Sequence, residues 1–354
     1  MDFNIVLVVI VIAIALLFDY TNGFHDAANA IATSVSTRAL KPRTALAMAA
    51  VMNVIGALLG TEVAKTIGEG IIDINSYALS DNTETQRFGL IVVLAALVGA
   101  VVWNYTTWWF GLPSSSSHAL IGGLAGAGLA SATQVHWDGI MSHVIIPMLM
   151  SPVIGFVLSY TLMKMIMSWL KNRPYHKTMG RFRHMQRYSA AAIALGHGLQ
   201  DAQKTMGVIV MALLAGGYGD THNIFDEATG DMTIPLWVKL AAAGAIALGT
   251  YSGGYRIMKT LGSKMIELDP ARGFVAESVS AGVLYSAAYL FHAPISTTQT
   301  MTASILGVGA TRRVSSVRWS VAGNIVVAWV LTLPAAAAVA AIMFFIFHAI
   351  IPVY

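Results

Sequence analysis

Cysteine is absent from the 354 residues. That excludes thiol chemistry and leaves no mark of a redox compartment. Charge is scarce as well: Asp, Glu, Lys and Arg make up 11% of the chain, where a soluble domain carries about 25%. In their place 56% of the residues are hydrophobic and the mean hydropathy is +0.67. A soluble enzyme or binding domain is thereby excluded, and the chain reads as an all-α polytopic membrane protein. Long apolar runs extend from Val6 to Phe18, Leu90 to Trp103, Ile145 to Leu162, Leu236 to Leu248 and Ile325 to Phe347. One span takes roughly 20 residues, which leaves room for about ten spans and little soluble mass. The net charge of +4 and pI near 9.2 report which side a loop occupies rather than a nucleic-acid partner. The opening MDFNIV lacks the basic segment of a signal peptide, so the first apolar run is expected to stay as a span.

Two halves of the chain repeat each other. NGFHDAANAIAT (Asn22 to Thr33) aligns with HGLQDAQKTMGV (His197 to Val208), placing Asp26 opposite Asp201 and Asn29 opposite Lys204. AKTIGEGIIDI (Ala64 to Ile74) aligns with MKTLGSKMIEL (Met258 to Leu268), and PSSSSHALIGGLAGAG (Pro113 to Gly128) with PISTTQTMTASILGVG (Pro294 to Gly309). Three blocks in one order define an internal repeat. The expected units are residues 1–163, a short basic cytoplasmic linker at 164–187, and residues 188–354.

Charge gives the two units opposite orientations. Lys171, Arg173, Lys177, Arg181 and Arg183, and also Arg38, Lys41 and Arg43, mark cytoplasmic loops. The loop from Gly216 to Ile234 holds Asp220, Asp226, Glu227 and Asp231 without Lys or Arg, and reads as outside. Of the matched connectors, Glu62 to Arg87 has five acidic and two basic residues, whereas Arg256 to Arg272 has four basic and two acidic. The repeats are therefore expected to be inverted, an arrangement suited to alternating access around a midplane site. A duplicated scaffold with no such function is the plainer alternative.

Polar residues interrupt the first helix of each unit. Asp19, Asn22, Gly23, His25, Asp26 and Asn29 follow one apolar run, and Gly196, His197, Gly198, Gln200, Asp201, Gln203 and Lys204 stand in its counterpart. Glycine beside carbonyl-competing side chains predicts a broken, locally unwound helix. A charge at the bilayer centre costs roughly 2.5–3.5 kcal/mol, so Asp26 and Asp201 are candidate functional groups, with helix capping as the structural alternative. PSSSSH and PISTTQ each follow an apolar segment and precede a small-residue helix. Proline ends one helix and opens the next, and the hydroxyls then fall on a first turn whose free N–H groups bind anions. Ala95 to Ser131 and Glu277 to Gly309 thus read as two re-entrant hairpins with their tips inside the membrane. Gly122, Gly123, Gly126 and Gly128 read as close helix packing.

Anion-binding tips facing carboxylates call for a cation or proton between them, the logic of a symporter. An intramembrane hydrolase is disfavoured because Gln299 stands where the first half has His118, while the hydroxyls occur in both. A passive anion channel remains a rival.

NGFHDAANAIATSVSTRAL, GLPSSSSHALIGG, GHGLQDAQKTMG and APISTTQT, spread over nearly the whole chain, resemble the inorganic phosphate transporter (PiT) family. The resemblance implies phosphate uptake coupled to Na⁺ or H⁺. It also implies two inverted repeats with two re-entrant hairpins, an elevator-like transport domain, a homodimer, and a multi-pass place in a bacterial or archaeal inner membrane. Proton-linked bacterial members carry neutral metal–phosphate complexes. The phosphate ligands it implies are Ser115, Ser116, Ser117, Ser296, Thr297 and Thr298, with Lys204 close to the site. Its cation ligands are Asp26, Asn29 and Asp201, and Asn22 and Gln200 join that candidate set; Na⁺ (or H⁺) sits at Asp26 and Asp201. Gln200 replaces the Asn that many relatives have, and Gln299 replaces a His, which leaves the coupling ion open. Some relatives of the fold carry sulfate. Beyond the coupling ion no cofactor is expected.

Overall fold

The computed structural model describes residues 3–74, 77, 82–222, 224–225 and 232–351. Asp81, Asp226, Glu227 and Asp231 lie outside the described residues. The first half contributes α1 (Phe3–Ser36), α2 (Pro42–Leu58), α3 (Glu62–Gly70), α4 (Thr83–Phe110), α5 (Ser116–Ala130) and α6 (Trp137–Leu170, with a π-helical turn at Ile140–Ile145). The second contributes α7 (Tyr175–Ala215), α8 (Leu236–Ser252), α9 (Tyr255–Lys259, continued by a π-helical turn at Thr260–Lys264), α10 (Pro270–Tyr289), α11 (Thr297–Ala310) and α12 (Trp319–Ile350). The order of long, short and hairpin-forming helices is the same twice.

Packing exchanges the halves. α1 lies on α8 and α7 on α2; α5 lies on α12 and α11 on α6; α3 touches α7 and α9 touches α1. Close crossings without side chains make these contacts possible. A Cβ on Gly23 would stand 2.4 Å from the Ile246 carbonyl oxygen, and one on Gly249 2.1 Å from that of Tyr20. The matching pair in the other half is Gly198 against the Asn53 oxygen (2.3 Å) and Gly56 against that of Leu195 (2.1 Å). Likewise Gly126 meets Ala337 oxygen at 2.3 Å and Gly307 meets Phe156 oxygen at 2.5 Å. The close-packing role expected of Gly122, Gly123 and Gly126 holds, since each would drive a Cβ into the backbone of α12 or α4, whereas Gly128, expected with them, faces the side chains of Val135 and Ile72.

The broken first helices are not found. α1 and α7 run uninterrupted through their polar blocks. Gly23 and Gly198 serve helix crossing rather than unwinding, and His25, Asp26, Asn29 and Lys204 find partners on other elements while the backbone keeps its own ladder. The sharp break among the described residues is instead between α2 and α3, bent by 72°.

Four described helices are long and apolar enough to cross a bilayer: α1, α4, α6 and α12; the bent pair raises this to five. Further apolar residues go into α7 and α10, of 41 and 20 residues, and into α2 and α8, α5 and α11, helices of 17, 15 and 14 residues that are too short for single spans of roughly 20 residues. The basic stretch from Lys164 to Arg187 occupies the end of α6, a brief turn and the start of α7.

Two large apolar clusters, with a small third one of Val63, Leu199 and Ala288, form the core of the described residues. One holds α1 up to Phe18 and α7 from Ala202 onward; the other holds α1 from Ala27 and α7 up to Ala194. The polar blocks of both helices fall on the seam between them.

Substituting Gly126→Ala forces the α5–α12 crossing apart and is expected to cost about 1–3 kcal/mol. Gly323→Ala, with no atom within 4 Å of the added carbon, should be neutral or gain up to about 1 kcal/mol. Thermal unfolding of the detergent-purified variants compares the two, and equal midpoints would remove the argument from close crossing.

Candidate functional site

Each hairpin tip is built by the same local rules. α4 stops at Gly111, whose φ of 67° is the left-handed cap that glycine adopts without strain, and Pro113 follows. α10 stops at Leu290 and Pro294 follows. Ser115 and Ser296 then take extended backbone as N-caps: Ser115 Oγ accepts from His118 N (3.1 Å) and Ser296 Oγ from Gln299 N (3.2 Å). This leaves Ser116, Ser117, Thr297 and Thr298 on the first turns, all buried. The tips meet directly, through Ser117 Oγ donating to Ile295 O (3.1 Å) and Gln299 Nε2 lying 3.0 Å from His118 Nδ1.

Both tips converge on the seam of α1 and α7. Thr297 Oγ1 donates between two carboxylates, 3.4 Å from Asp26 Oδ2 and 3.2 Å from Asp201 Oδ2. Thr298 Oγ1 donates to Asp26 Oδ1 (3.1 Å), and Ser116 Oγ lies 3.5 Å from Asp26 Oδ2. Asn29 and Lys204, equivalent in the repeat, reach the opposite tips. Asn29 Nδ2 donates to Thr298 Oγ1 (2.8 Å); Lys204 Nζ donates to Ser117 Oγ, to Asp201 and to Ile295 O (3.2 Å). Lys204 is fully buried, so its ion pair with Asp201 is unscreened by solvent.

Histidines complete the arrangement. His25 Nδ1 is 2.7 Å from Asp26 Oδ1, and its Nε2 is 3.2 Å from Thr107 Oγ1 on α4. His197 Nε2 is 3.0 Å from Asp201 Oδ2, and its Nδ1 faces Asn53 Oδ1 at 3.1 Å. One ligand atom each from Asp26, His197 and Asp201 lie within 4.8 Å of one another, a spacing that a single cation could bridge.

Of the residues singled out from sequence, Asp26, Asp201, Asn29, Lys204, Ser116, Ser117, Thr297 and Thr298 come together here. Ser115 and Ser296 border the cluster as caps. Gln200 points away, its Nε2 donating at 3.3 Å to Leu284 O and Ala293 O of its own hairpin. Asn22 is buried on α1 with neither amide atom hydrogen-bonded. Sequence reasoning missed His197 as a partner of Asp201, although their i,i+4 spacing puts both on one helix face. It missed Thr107 too, which only the docking of α4 brings near. Glu277 was passed over as a mere hairpin boundary. It is fully buried and accepts from Thr33 Oγ1 (2.5 Å), Gln186 Nε2 (3.0 Å) and Ser189 Oγ, tying α10 to the far ends of α1 and α7. An acidic residue inside an apolar run was the available signal.

Residues 22–340 match the model of the phosphate transporter family. A Bacillus subtilis protein described as a "probable low-affinity inorganic phosphate transporter" is 44% identical over 352 residues, 99% of this chain and 100% of its own. A Rhizobium meliloti protein of the same description is 48% identical over 344 residues, 96% of each chain. A solved sodium-dependent phosphate transporter superposes with a TM-score of 0.84, covering 98% of this chain and 100% of that one at 22% identity, which shows a shared fold. With its motifs in place at a buried double-tip site, and matched end to end by such relatives, the chain belongs to the phosphate transporter family.

Proposed function

We propose that this chain takes up inorganic phosphate across the cell membrane by symport with Na⁺, around the site formed by the two tips and the two aspartates. The observation that carries the reading is the shared hydroxyl of Thr297. Its single proton is aimed at Asp26 and Asp201 together, so carboxylates and an arriving phosphate compete for the same donors. A cation that occupies the carboxylates leaves Thr297, Thr298 and Ser116, with the free N–H groups of two helix N-termini, to the anion. Anion and cation then bind better together than apart. Asn29 favours Na⁺ over H⁺: its Oδ1 is buried beside the carboxylates and accepts no hydrogen bond. A neutral oxygen in that position suits a metal cation, which takes several oxygen ligands, where a proton takes one acceptor.

The architecture supports alternating access. α5 and α11, at 15 and 14 residues, are about 21–23 Å long, short of the roughly 30 Å hydrocarbon core. They serve as arms of hairpins entering from opposite faces, in two inverted repeats at 1–163 and 188–354 joined by the basic cytoplasmic segment 164–187. The phosphate relatives named above are bacterial, which fits an inner-membrane site, and the homodimer follows from family resemblance alone.

Radiolabelled phosphate uptake into proteoliposomes, driven by an imposed Na⁺ or pH gradient with sulfate as competitor, tests this reading. Asp26→Asn and Asp201→Asn should each abolish accumulation while inserting normally. Wild-type uptake in both would sink the carboxylate mechanism, and concentrative uptake without any cation gradient would sink the symport. Thr297→Ala removes a hydrogen bond to charged partners worth about 1.5–3 kcal/mol, so KM for phosphate should rise roughly tenfold or more. A change in protein abundance with KM unaltered would assign Thr297 a structural role.

A further inference from the structure

Seven buried polar atoms without a hydrogen bond gather away from the tips, on the junction of α1, α4 and α7: both oxygens of Asp19, both amide atoms of Asn22 and of Asn104, and Thr205 Oγ1. All four residues are at most 1% exposed. A buried carboxylate faced only by one hydroxyl, that of Thr205, is among the most costly groups a protein interior can hold, and buried polar atoms in native proteins nearly always have partners. One such atom could be incidental. A cluster of seven, including a carboxylate, points to a ligand.

Register places the four side chains together. α1 and α7 run antiparallel: Val8 meets Gly216, Asp19 interacts with Thr205, and Asp26 lies beside His197 and Asp201. α1 and α4 run parallel: Asn4 bonds Thr83 O and Arg87, and His25 bonds Thr107. That register sets Asn22 level with Asn104, one turn before His25 and Thr107 on their respective helices. Asn22 is three residues from both Asp19 and His25, so on the helical wheel it faces the seam between α7 and α4.

The geometry points to a second cation site here, for a monovalent metal ion of the sodium class. It is formed by the Asp19 carboxylate, the amide oxygens of Asn22 and Asn104 and the Thr205 hydroxyl. The ligand set is all oxygen, as hard cations require. One carboxylate with neutral oxygens balances one positive charge; a divalent ion would leave an uncompensated charge in a dry interior. The site belongs to one half only, because the positions equivalent to Asp19, Asn104 and Thr205 are Ala194, Tyr285 and Ala30. There is accordingly one per chain. Asp19 lies seven residues before Asp26, about 10 Å along the helix, and interacts electrostatically with Asp201 and Lys204. An ion there strengthens the positive potential at the central pair and adds to the charge that accompanies the anion. Asn22, expected at the central pair, is reassigned to this site.

This inference deepens the reading as a Na⁺-coupled transporter, and the test separates the two. Equilibrium binding of ²²Na⁺ to the purified full chain is measured without phosphate, in a choline background. Asp19→Asn should lower the saturating stoichiometry by one Na⁺ per chain, and Asp26→Asn should keep that component. Thr205→Val, which preserves shape, should weaken the same component by about tenfold or more, in line with the effect of disturbing a metal's supporting ligands. Wild-type stoichiometry and affinity in both Asp19→Asn and Thr205→Val overturn the site; so does loss of a dye-reported proton uptake in Asp19→Asn with Na⁺ binding unchanged. Should Asp19→Asn fail to fold, Thr205→Val decides alone. If wild-type protein binds this Na⁺ yet accumulates no phosphate, the site stands and the transport reading falls.

Discussion

Two carboxylates held against each other in a dry interior dictate most of what surrounds them. With ligand atoms within 4.8 Å, like charges at an effective dielectric near 20 repel by about 3 kcal/mol. Such a pair persists only where positive or hydrogen-donating groups converge on it. The tips, which bring hydroxyls from both halves, and Lys204, which fixes Asp201, meet that demand. The close glycine crossings are the next requirement, since α1 and α7 must approach α8 and α2 nearly backbone to backbone before the tips can reach the seam. Unbroken helices accompany this: His25, Asp26, Asn29 and Lys204 bond side chains on other elements while the backbone ladder stays closed.

Periodicity and repetition made the internal duplication, the tips and the paired aspartates legible in the sequence. Each is a local pattern: Pro followed by Ser or Thr before a small-residue helix specifies an N-terminus wherever it is placed. The misreadings have one physical origin. Gly23 and Gly198 carry no local mark distinguishing a helix that unwinds from one that is crossed closely, because that depends on the partner helix. Gln200 sits beside Asp201 in sequence yet turns toward its own hairpin, since successive residues on a helix diverge by about 100°. Partners such as Thr107 and Asn53 become visible only once α4 and α2 are docked.

The halves are not chemically equal, and the difference bears on how many ions the centre can use. Asn29 and Lys204 are repeat equivalents, and each reaches the tip of the opposite hairpin. Lys204 supplies Asp201 with a permanent counter-charge, whereas Asn29 supplies none to Asp26. One carboxylate of the pair thus carries a fixed ammonium partner, and the other faces His25 and the tip hydroxyls, which on the symport proposed above leaves it to the exchangeable cation. On the same proposal, symmetric asparagines would leave two unpaired carboxylates for cations, whereas the lysine leaves one and makes the cluster less negative by one charge. Asymmetry at this single position therefore sets the resting charge of the site.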